Sequence, residues 1–268
     1  MAVALVVVGG GQMGGALVAG LIGSGRLAPE ALVVVEPSVG RADALAGAHP
    51  GLAVVSVFDP ETVAGAEGVV LAVKPDVAEA VLRPIGAAGA RRILSIVAGL
   101  QTARLEAVLP PEVAVIRAMP NTPALVGAGV SVISGGSQTR SADLDWAEGV
   151  LSAVGRVLRL PERHLDAVTA LSGSGPAYIF LVAEALIEAG VLAGLPRDVS
   201  RTLVVDTLVG SSRMLEQTGQ DPEQLRASVT SPGGTTAAGL RALEARAIRS
   251  AFLEAVASAA ERSRQLGR

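Results

Sequence analysis

Ahead of residue 160, short runs of β-branched residues alternate with alanine-rich segments. The pattern predicts strands at 2–8, 32–35, 53–57, 69–73, 92–96, 113–117, 129–133 and 156–160. The first run is apolar almost throughout, as a strand buried on both faces must be. Helices are predicted at 14–23, 41–46, 77–85 and 142–153, with a further helix start at 60–64. Such alternation implies a doubly wound parallel sheet with right-handed crossovers, an α/β domain of the Rossmann kind. Beyond residue 160 the strands cease. Helical patterns follow at 165–171, 177–191, 199–217, 222–228 and 237–266. The chain is therefore expected to comprise a dinucleotide-binding domain, 1–160, and an all-helical domain, 161–268. In the second domain Ile179, Phe180, Val182, Leu186 and Val191 place apolar side chains on more than one helix face. A helix of that kind needs burial on several sides, and a second copy of the chain is the expected cover.

The sharpest local signal in the first domain is Gly9-Gly10-Gly11-Gln12-Met13-Gly14, which fits G-x-G-x-x-G. It sits between a predicted strand and a predicted helix, the context that the dinucleotide signature requires. Gly9 supplies the tight turn, Gly11 lets a pyrophosphate approach the backbone, and Gly14 lets the helix pack against the strand. Glu36 ends the second predicted strand, where an acid binds adenosine ribose hydroxyls; its alternative is a solvated loop carboxylate before Pro37. Asp59 is read as ending the third strand, either near the adenosine or as a cap for a helix opening at Pro60-Glu61. Two acids there would repel a 2′-phosphate, whereas Ser38 and Arg41 offer contacts to one. On that balance NADH is expected to serve at least as well as NADPH.

In the second domain the chemistry concentrates at residues 230–236, Thr-Ser-Pro-Gly-Gly-Thr-Thr. Ser231 followed by Pro232 reads as a helix cap and first turn. Gly233 and Gly234 allow close backbone approach, and the amides of Thr235 and Thr236 would face outward at the positive end of the helix dipole. That is a small anion site suited to a carboxylate or phosphate. The alternative is an ordinary glycine-rich turn before a capped helix.

Composition narrows the chemistry. The chain has 268 residues and no cysteine, which removes disulfides and thiolate catalysis. His49 and His164, its only histidines, lie far apart, so no metal site is expected. A net charge of −3 gives no electrostatic case for nucleic acid. Residues 1–25 carry no charged side chain, yet no basic segment precedes the apolar run and glycines interrupt it. A second uncharged stretch, 118–139, contains Pro120 and Pro123. Neither suits a membrane span or a signal peptide, and a cytoplasmic protein is expected.

With both ends in view, the chain closely resembles the pyrroline-5-carboxylate reductase family. The matching stretches are Gly9–Gly14, Leu71-Ala72-Val73-Lys74-Pro75, Ser95-Ile96-Val97-Ala98-Gly99, Arg117-Ala118-Met119-Pro120-Asn121-Thr122-Pro123-Ala124, the region around Ser172-Gly173-Ser174-Gly175-Pro176-Ala177-Tyr178, and 229–236. They span almost the whole chain. The resemblance implies a Rossmann domain followed by a helical dimerisation domain, assembled as a dimer or a ring of dimers. It implies that Ala72, Val73, Lys74 and Pro75, with the backbone of Ile96, Val97 and Ala98, line the dinucleotide, NADPH or NADH. It further implies that Ser231, Gly234, Thr235 and Thr236 hold the substrate, a small cyclic imine bearing a carboxylate. Reduction adds a proton to the imine nitrogen, and the Thr236 hydroxyl is the candidate to hydrogen-bond it. Two positions depart from the family pattern: Asp59 stands where asparagine is usual, and Glu36 where many members carry a small polar residue. Both bear on cofactor preference rather than on reaction type. The Lys74 side chain either reaches the cofactor or simply ends its strand. Asn121 either fixes a loop near the nicotinamide or belongs to a plain turn.

Two other readings remain in play. A β-hydroxyacid dehydrogenase shares the glycine-rich start and helical second domain, but relies on a late lysine, and this chain has none after Lys74. A dinucleotide sensor without turnover has no use for the 230–236 stretch.

Overall fold

The computed structural model describes residues 3–267; Ala2, included in the first predicted strand, lies outside them. The chain forms two compact units, one of residues 1–174 with 258–268 and the other of 175–257.

The first unit is built on an eight-stranded sheet of order β3-β2-β1-β4-β5-β6-β7-β8. The strands are β1 (Leu5–Val8), β2 (Leu32–Val35), β3 (Ala53–Val55), β4 (Gly68–Leu71), β5 (Arg92–Ser95), β6 (Ala114–Met119), β7 (Gly129–Gly135) and β8 (Gly155–Arg159). Strand neighbours alternate their side chains between two cores. Leu5, Val7, Leu32, Val34, Val70 and Leu94 enter one; Val6, Val8, Val33, Val35, Val69 and Ile93 enter the other. This is the period of two expected when both faces of a sheet are covered. Sequence predicted a parallel sheet, but one pair departs from this: β7 runs antiparallel to β6, with Ala118 opposite Ile133. The connection between them carries only the 3-10 turn Thr122–Val126, too little chain for the crossover that parallel neighbours need. The helix Ser141–Leu151 then returns the chain so that β8 lies parallel to β7.

Strand order reverses at β1 and β4, so the crevice at their carboxyl ends is the switch point where such sheets bind ligands. The helix Gln12–Gly23 leaves β1 there. Its Gly20 allows close packing: a Cβ would lie 2.4 Å from Val154 Cγ1 and 2.8 Å from the Ala153 carbonyl oxygen.

The helical part departs from the expected single helix over 237–266. Two helices stand there, Thr235–Ala245 and Ile248–Leu266. The break is at Ala247, whose φ is +54° and whose amide donates to Glu244 O at 2.9 Å. A side chain in this left-handed region carries strain that glycine lacks. Ala247→Gly is therefore expected to stabilise the protein by about 1 kcal/mol, seen as a higher denaturant midpoint. Within the second unit, the helices Gly175–Leu192 and Arg197–Thr218 form a hairpin. Ser200 Oγ donates to Ile187 O at 2.9 Å, and a Cβ on Gly190 would meet Ser200 Oγ at 2.1 Å, which shows how closely the two backbones approach. In the first unit the segment expected as a helix over 165–171 is the helix Leu165–Val168 continued by a π turn, Thr169–Gly173, with Ser174 N donating to Thr169 O at 2.8 Å.

Candidate active site

Backbone hydrogen bonds lace the carboxyl ends of four strands into one edge. Gly9 N donates to Val35 O at 2.9 Å, Ala72 N to Val8 O at 2.8 Å, and Ile96 N to Leu71 O at 3.0 Å. These bonds bring the glycine-rich turn, Glu36, the Ala72–Pro75 segment and the Ile96–Ala98 segment together. Gly9 has φ +105°, and a Cβ there would lie 2.4 Å from Ala72 O. At Gly14 a Cβ would sit 2.0 Å from Gly9 O. Both positions require glycine for the fold of the turn itself. Gly11 differs: its Cβ would meet nothing within 4 Å, and it is the N-cap of the helix Gln12–Gly23. No described side chain caps that helix. The amides of its first turn, Gln12 and Met13 among them, are thus left to an outside acceptor, with the helix dipole favouring an anion. An open glycine edge at an uncapped helix start fits the pyrophosphate of a nicotinamide dinucleotide.

Glu36 is the most heavily engaged side chain at this edge. It is 3% exposed. Oε2 accepts from Gly10 N at 3.0 Å, while Oε1 accepts from Ser38 N at 2.8 Å and from Arg41 Nη2 at 2.9 Å. Burial alone would push its carboxyl up. The Arg41 bond, then the Ser38 and Gly10 amides, outweigh that and hold it below the ordinary glutamate value. A carboxylate whose folded value is depressed stabilises the fold above the unfolded value and loses that contribution as pH falls through the folded one. The expected result is a component of acid destabilisation beginning below about pH 4.3 that Glu36→Gln removes, read from denaturant midpoints across the acid range.

Asp59 stands four residues beyond β3 rather than at its end. Its Oδ1 accepts from Glu61 N at 3.2 Å and its Oδ2 from Thr62 Oγ1 at 3.2 Å, so it caps the helix Pro60–Gly65. Lys74 is the N-cap residue of the helix Pro75–Ala87 but caps it with no side-chain bond, and its side chain is exposed. Val73 is half-buried and Pro75 exposed; Val97 is buried, with its amide 3.4 Å from Ser95 Oγ, while Ala98 is exposed.

Of the two readings of Asn121, a loop anchor or a plain turn, its hydrogen bonds favour the anchor, though its partners could not be read from sequence. Its Nδ2 donates to Ser172 O at 3.2 Å and its Oδ1 accepts from Val130 N at 2.9 Å, which ties the loop after β6 to the π turn. Sequence reading did not find Glu162, which accepts from Thr102 N at 2.8 Å, Thr102 Oγ1 at 2.7 Å and Arg117 Nη1 at 3.1 Å. Only the folded chain places these partners together.

In the second unit, Ser231 is not the helix cap that its position before Pro232 predicts. It opens a turn in which Gly234 N donates to Ser231 O at 3.0 Å and Gly233 takes φ +70°. Proline then glycine in the middle of a turn supply the fixed and the positive φ that a type II turn needs. The helix starts at Thr235 with Gly234 as N-cap and no side-chain cap bond. A Cβ on Gly234 would lie 2.3 Å from Ser231 Oγ, so glycine keeps that hydroxyl beside the helix entry. Thr235 and Thr236 are exposed in its first turn.

These features define a dinucleotide-binding α/β unit joined to a helical unit whose helix Thr235–Ala245 opens with no side-chain cap. Comparison with known proteins makes the class specific. Residues 4–99 match the family model described as NADP oxidoreductase, coenzyme F420-dependent, and residues 162–266 match that for pyrroline-5-carboxylate reductase dimerisation. Over 270 residues the chain is 43% identical to the pyrroline-5-carboxylate reductase of Synechocystis, covering 100% of both. It is 43% identical to that of Mycobacterium tuberculosis over 287 residues, covering 98% of this chain and 96% of the relative. Among solved structures, the enzyme from Coxiella burnetii superposes with TM-score 0.91 at 33% identity and full coverage of both chains. The Plasmodium falciparum pyrroline carboxylate reductase with NADP bound gives 0.88 at 34%, covering 99% and 98%. The chain belongs to the pyrroline-5-carboxylate reductase family. Its dimerisation region supports a homo-oligomer.

Proposed function

We propose that this protein reduces 1-pyrroline-5-carboxylate to L-proline, the last step of proline biosynthesis, with NADH or NADPH as the reductant. The observation that carries the reading is the uncapped helix entry at Gly234–Thr235 in a chain of this family. The Gly9–Gly14 turn, Glu36, Ala72–Pro75 and Ile96–Ala98 hold the dinucleotide, which when bound supplies a hydride to the imine carbon. Residues 1–160 serve that role, and 161–268 serve dimerisation and substrate binding. The amides of Thr235 and Thr236 receive the substrate carboxylate, with Ser231 Oγ beside them and Gly234 leaving room for both. The Thr236 hydroxyl donates a hydrogen bond to the imine nitrogen, which acquires a proton as the C=N bond becomes a C–N single bond. The residues supply placement and hydrogen bonding rather than a nucleophile.

The test is oxidation of NADH and of NADPH, followed at the reduced-nicotinamide absorbance with 1-pyrroline-5-carboxylate as substrate. Turnover with either supports the reductase. Dinucleotide binding by folded protein without turnover favours a sensor instead.

We also infer a soluble cytoplasmic enzyme that binds neither membrane nor nucleic acid. The stretch Glu162–Leu192 is long and apolar enough to cross a membrane by length and composition. It lies within the dimerisation match, however, and a π turn followed by a bend at Ser174 interrupts it. Ile179, Phe180, Leu181 and Leu186 are exposed in the single chain, and a second copy is the cover that the dimerisation match favours. Phe180→Glu combined with Leu181→Glu is expected to convert the oligomer to a smaller species in sedimentation experiments. Retention of the wild-type mass would place the interface elsewhere.

A further inference from the structure

We infer that the end of the chain is part of the reduction site: the turn after the last helix, at Leu266 and Gly267, positions the loop that carries Ile96, Val97 and Ala98. The inference deepens the proposed dinucleotide role of that loop and rests on it. In strand order, Glu36 after β2 and the 96–98 loop after β5 stand on opposite sides of β1, which carries the glycine-rich turn. A dinucleotide lying across this crevice with its adenosine at Glu36 brings its nicotinamide to the loop. Within the loop Ala98 is exposed, whereas Gly99 is buried and has φ +82°. The end of the chain covers Gly99. A Cβ there would lie 3.3 Å from the carbonyl carbon and oxygen of Leu266 and 3.4 Å from its Cβ. From the other side, a Cβ on Gly267 would lie 2.6 Å from Gly99 O. Backbone rests on backbone, with glycine on both sides, at the residue next to Ala98.

The turn is itself held in place, and its partners belong with it to the first unit. Ala260 and Ser263 are the buried residues of the helix Ile248–Leu266, and with Gly267 they follow at the spacing of one helical face. Ser263 Oγ donates to Asp166 Oδ1 at 2.7 Å, and Gly267 N donates to Ser263 O at 3.2 Å. Asp166 therefore fixes the helix end, and the helix end fixes the turn. The loop is anchored separately at its two ends: it leaves β5 at Ser95, and Thr102 is bound to Glu162. Leu266 and Gly267 support it in between. In the proposed site the pyrophosphate and adenosine are held elsewhere, at Gly9–Gly14 and Glu36. Loss of the support thus shifts the backbone beside the nicotinamide and spares most binding contacts. Hydride transfer depends steeply on the placement of donor and acceptor, so the cost falls on turnover rather than on affinity.

The test is Gly267→Val in the full-length protein. The added side chain meets Gly99 O, so either the turn or the loop must give way. With 1-pyrroline-5-carboxylate, kcat is expected to fall by about 10-fold or more, while the calorimetric Kd for NADH stays within about 3-fold of wild type. The fluorescence emission of bound NADH is expected to change as well, because the surroundings of the nicotinamide change. Ser263→Ala, which frees the helix end from Asp166, moves both readouts in the same direction by less. Arg262→Ala, exposed on the same helix, leaves both at the wild-type value. The proposal is overturned if Gly267→Val keeps wild-type kcat or wild-type emission. It is equally overturned if the fall in kcat only matches a fall in NADH affinity or in the folded fraction seen by circular dichroism. Wild type that binds NADH without turnover defeats the reductase reading alone, and an unchanged emission in Gly267→Val then overturns the support separately. Folded wild type that binds no dinucleotide defeats both.

Discussion

Gly9→Ala abolishes saturable dinucleotide binding and lowers stability by about 3 kcal/mol or more, the sum of a left-handed backbone penalty and a steric one. The backbone at Gly9 has φ +105°, where an L side chain is strained whatever the space. The space is also absent, because the added Cβ would lie 2.4 Å from Ala72 O and 3.2 Å from Val73 N. Both contacts are backbone in the strand-end segment that carries Ala72–Pro75, so relief must move either the turn or that segment. Each shift alters the edge where the dinucleotide is expected. Gly11→Ala is the informative control. Its Cβ meets nothing within 4 Å, so the variant folds with nearly unchanged stability while the methyl occupies the open edge and weakens binding. Denaturant midpoints and fluorescence titration with NADH separate the two effects. Wild-type stability in Gly9→Ala would show that the turn does not need its left-handed geometry.

That contrast marks how far the sequence could be read. The glycine spacing, the buried run before it and the helix after it pointed to the turn, and the tight-turn role read for Gly9 agrees with its positive φ; Gly14, read as a packing position against the strand, instead lies closest to Gly9 O within the turn. The placement of Glu36 at the end of β2 was legible as well. The partner of Arg41 was not: from sequence it was read as a contact for a 2′-phosphate, and the structure pairs it with Glu36. The choice depends on how 36–38 turns back toward the start of the helix Val39–Ala48, which no residue pattern states. The antiparallel β7 escaped because strand direction is set by the length and content of a connection, and the 120–128 stretch reads as loop either way. The continuous helix expected over 237–266 failed at Ala247, since alanine is the strongest helix former and nothing about it announces a left-handed residue. At Ser231 two capping rules competed. Ser-Pro resembles a helix entry, but Pro232-Gly233 also specifies a turn, and the turn prevails because Gly233 takes the positive φ. The uncapped amides on which the expected anion site depends are present despite this shift of three residues. The π turn at Thr169–Gly173 is legible only in hindsight, through hydroxyls that bond back along the helix: Thr169 Oγ1 to Leu165 O at 2.7 Å and Ser172 Oγ to Val168 O at 3.0 Å.

Thr236→Ala lowers kcat by about tenfold or more while leaving KM within a few-fold of wild type, as expected for loss of one positioned proton-handling group. The split follows from dividing the work at the helix entry. In the proposed assignment the substrate carboxylate is held by main-chain amides of the first turn, which the substitution preserves, since alanine is an excellent helix residue and Thr236 is exposed. What disappears is the hydroxyl, and its interaction with the imine nitrogen strengthens as that nitrogen gains electron density and then a proton. An interaction stronger in the transition state than in the bound substrate appears in kcat rather than in KM. Thr236→Ser restores the hydroxyl without the methyl and is expected to recover most of the turnover, which a purely packing role would not predict. Thr235→Ala, on the neighbouring residue, is the second control: loss of its side chain spares the amides and is expected to cost less. Steady-state kinetics with saturating NADH distinguishes these outcomes. Wild-type turnover in Thr236→Ala removes this hydroxyl from the mechanism, and a raised KM with unchanged kcat reassigns it to substrate binding.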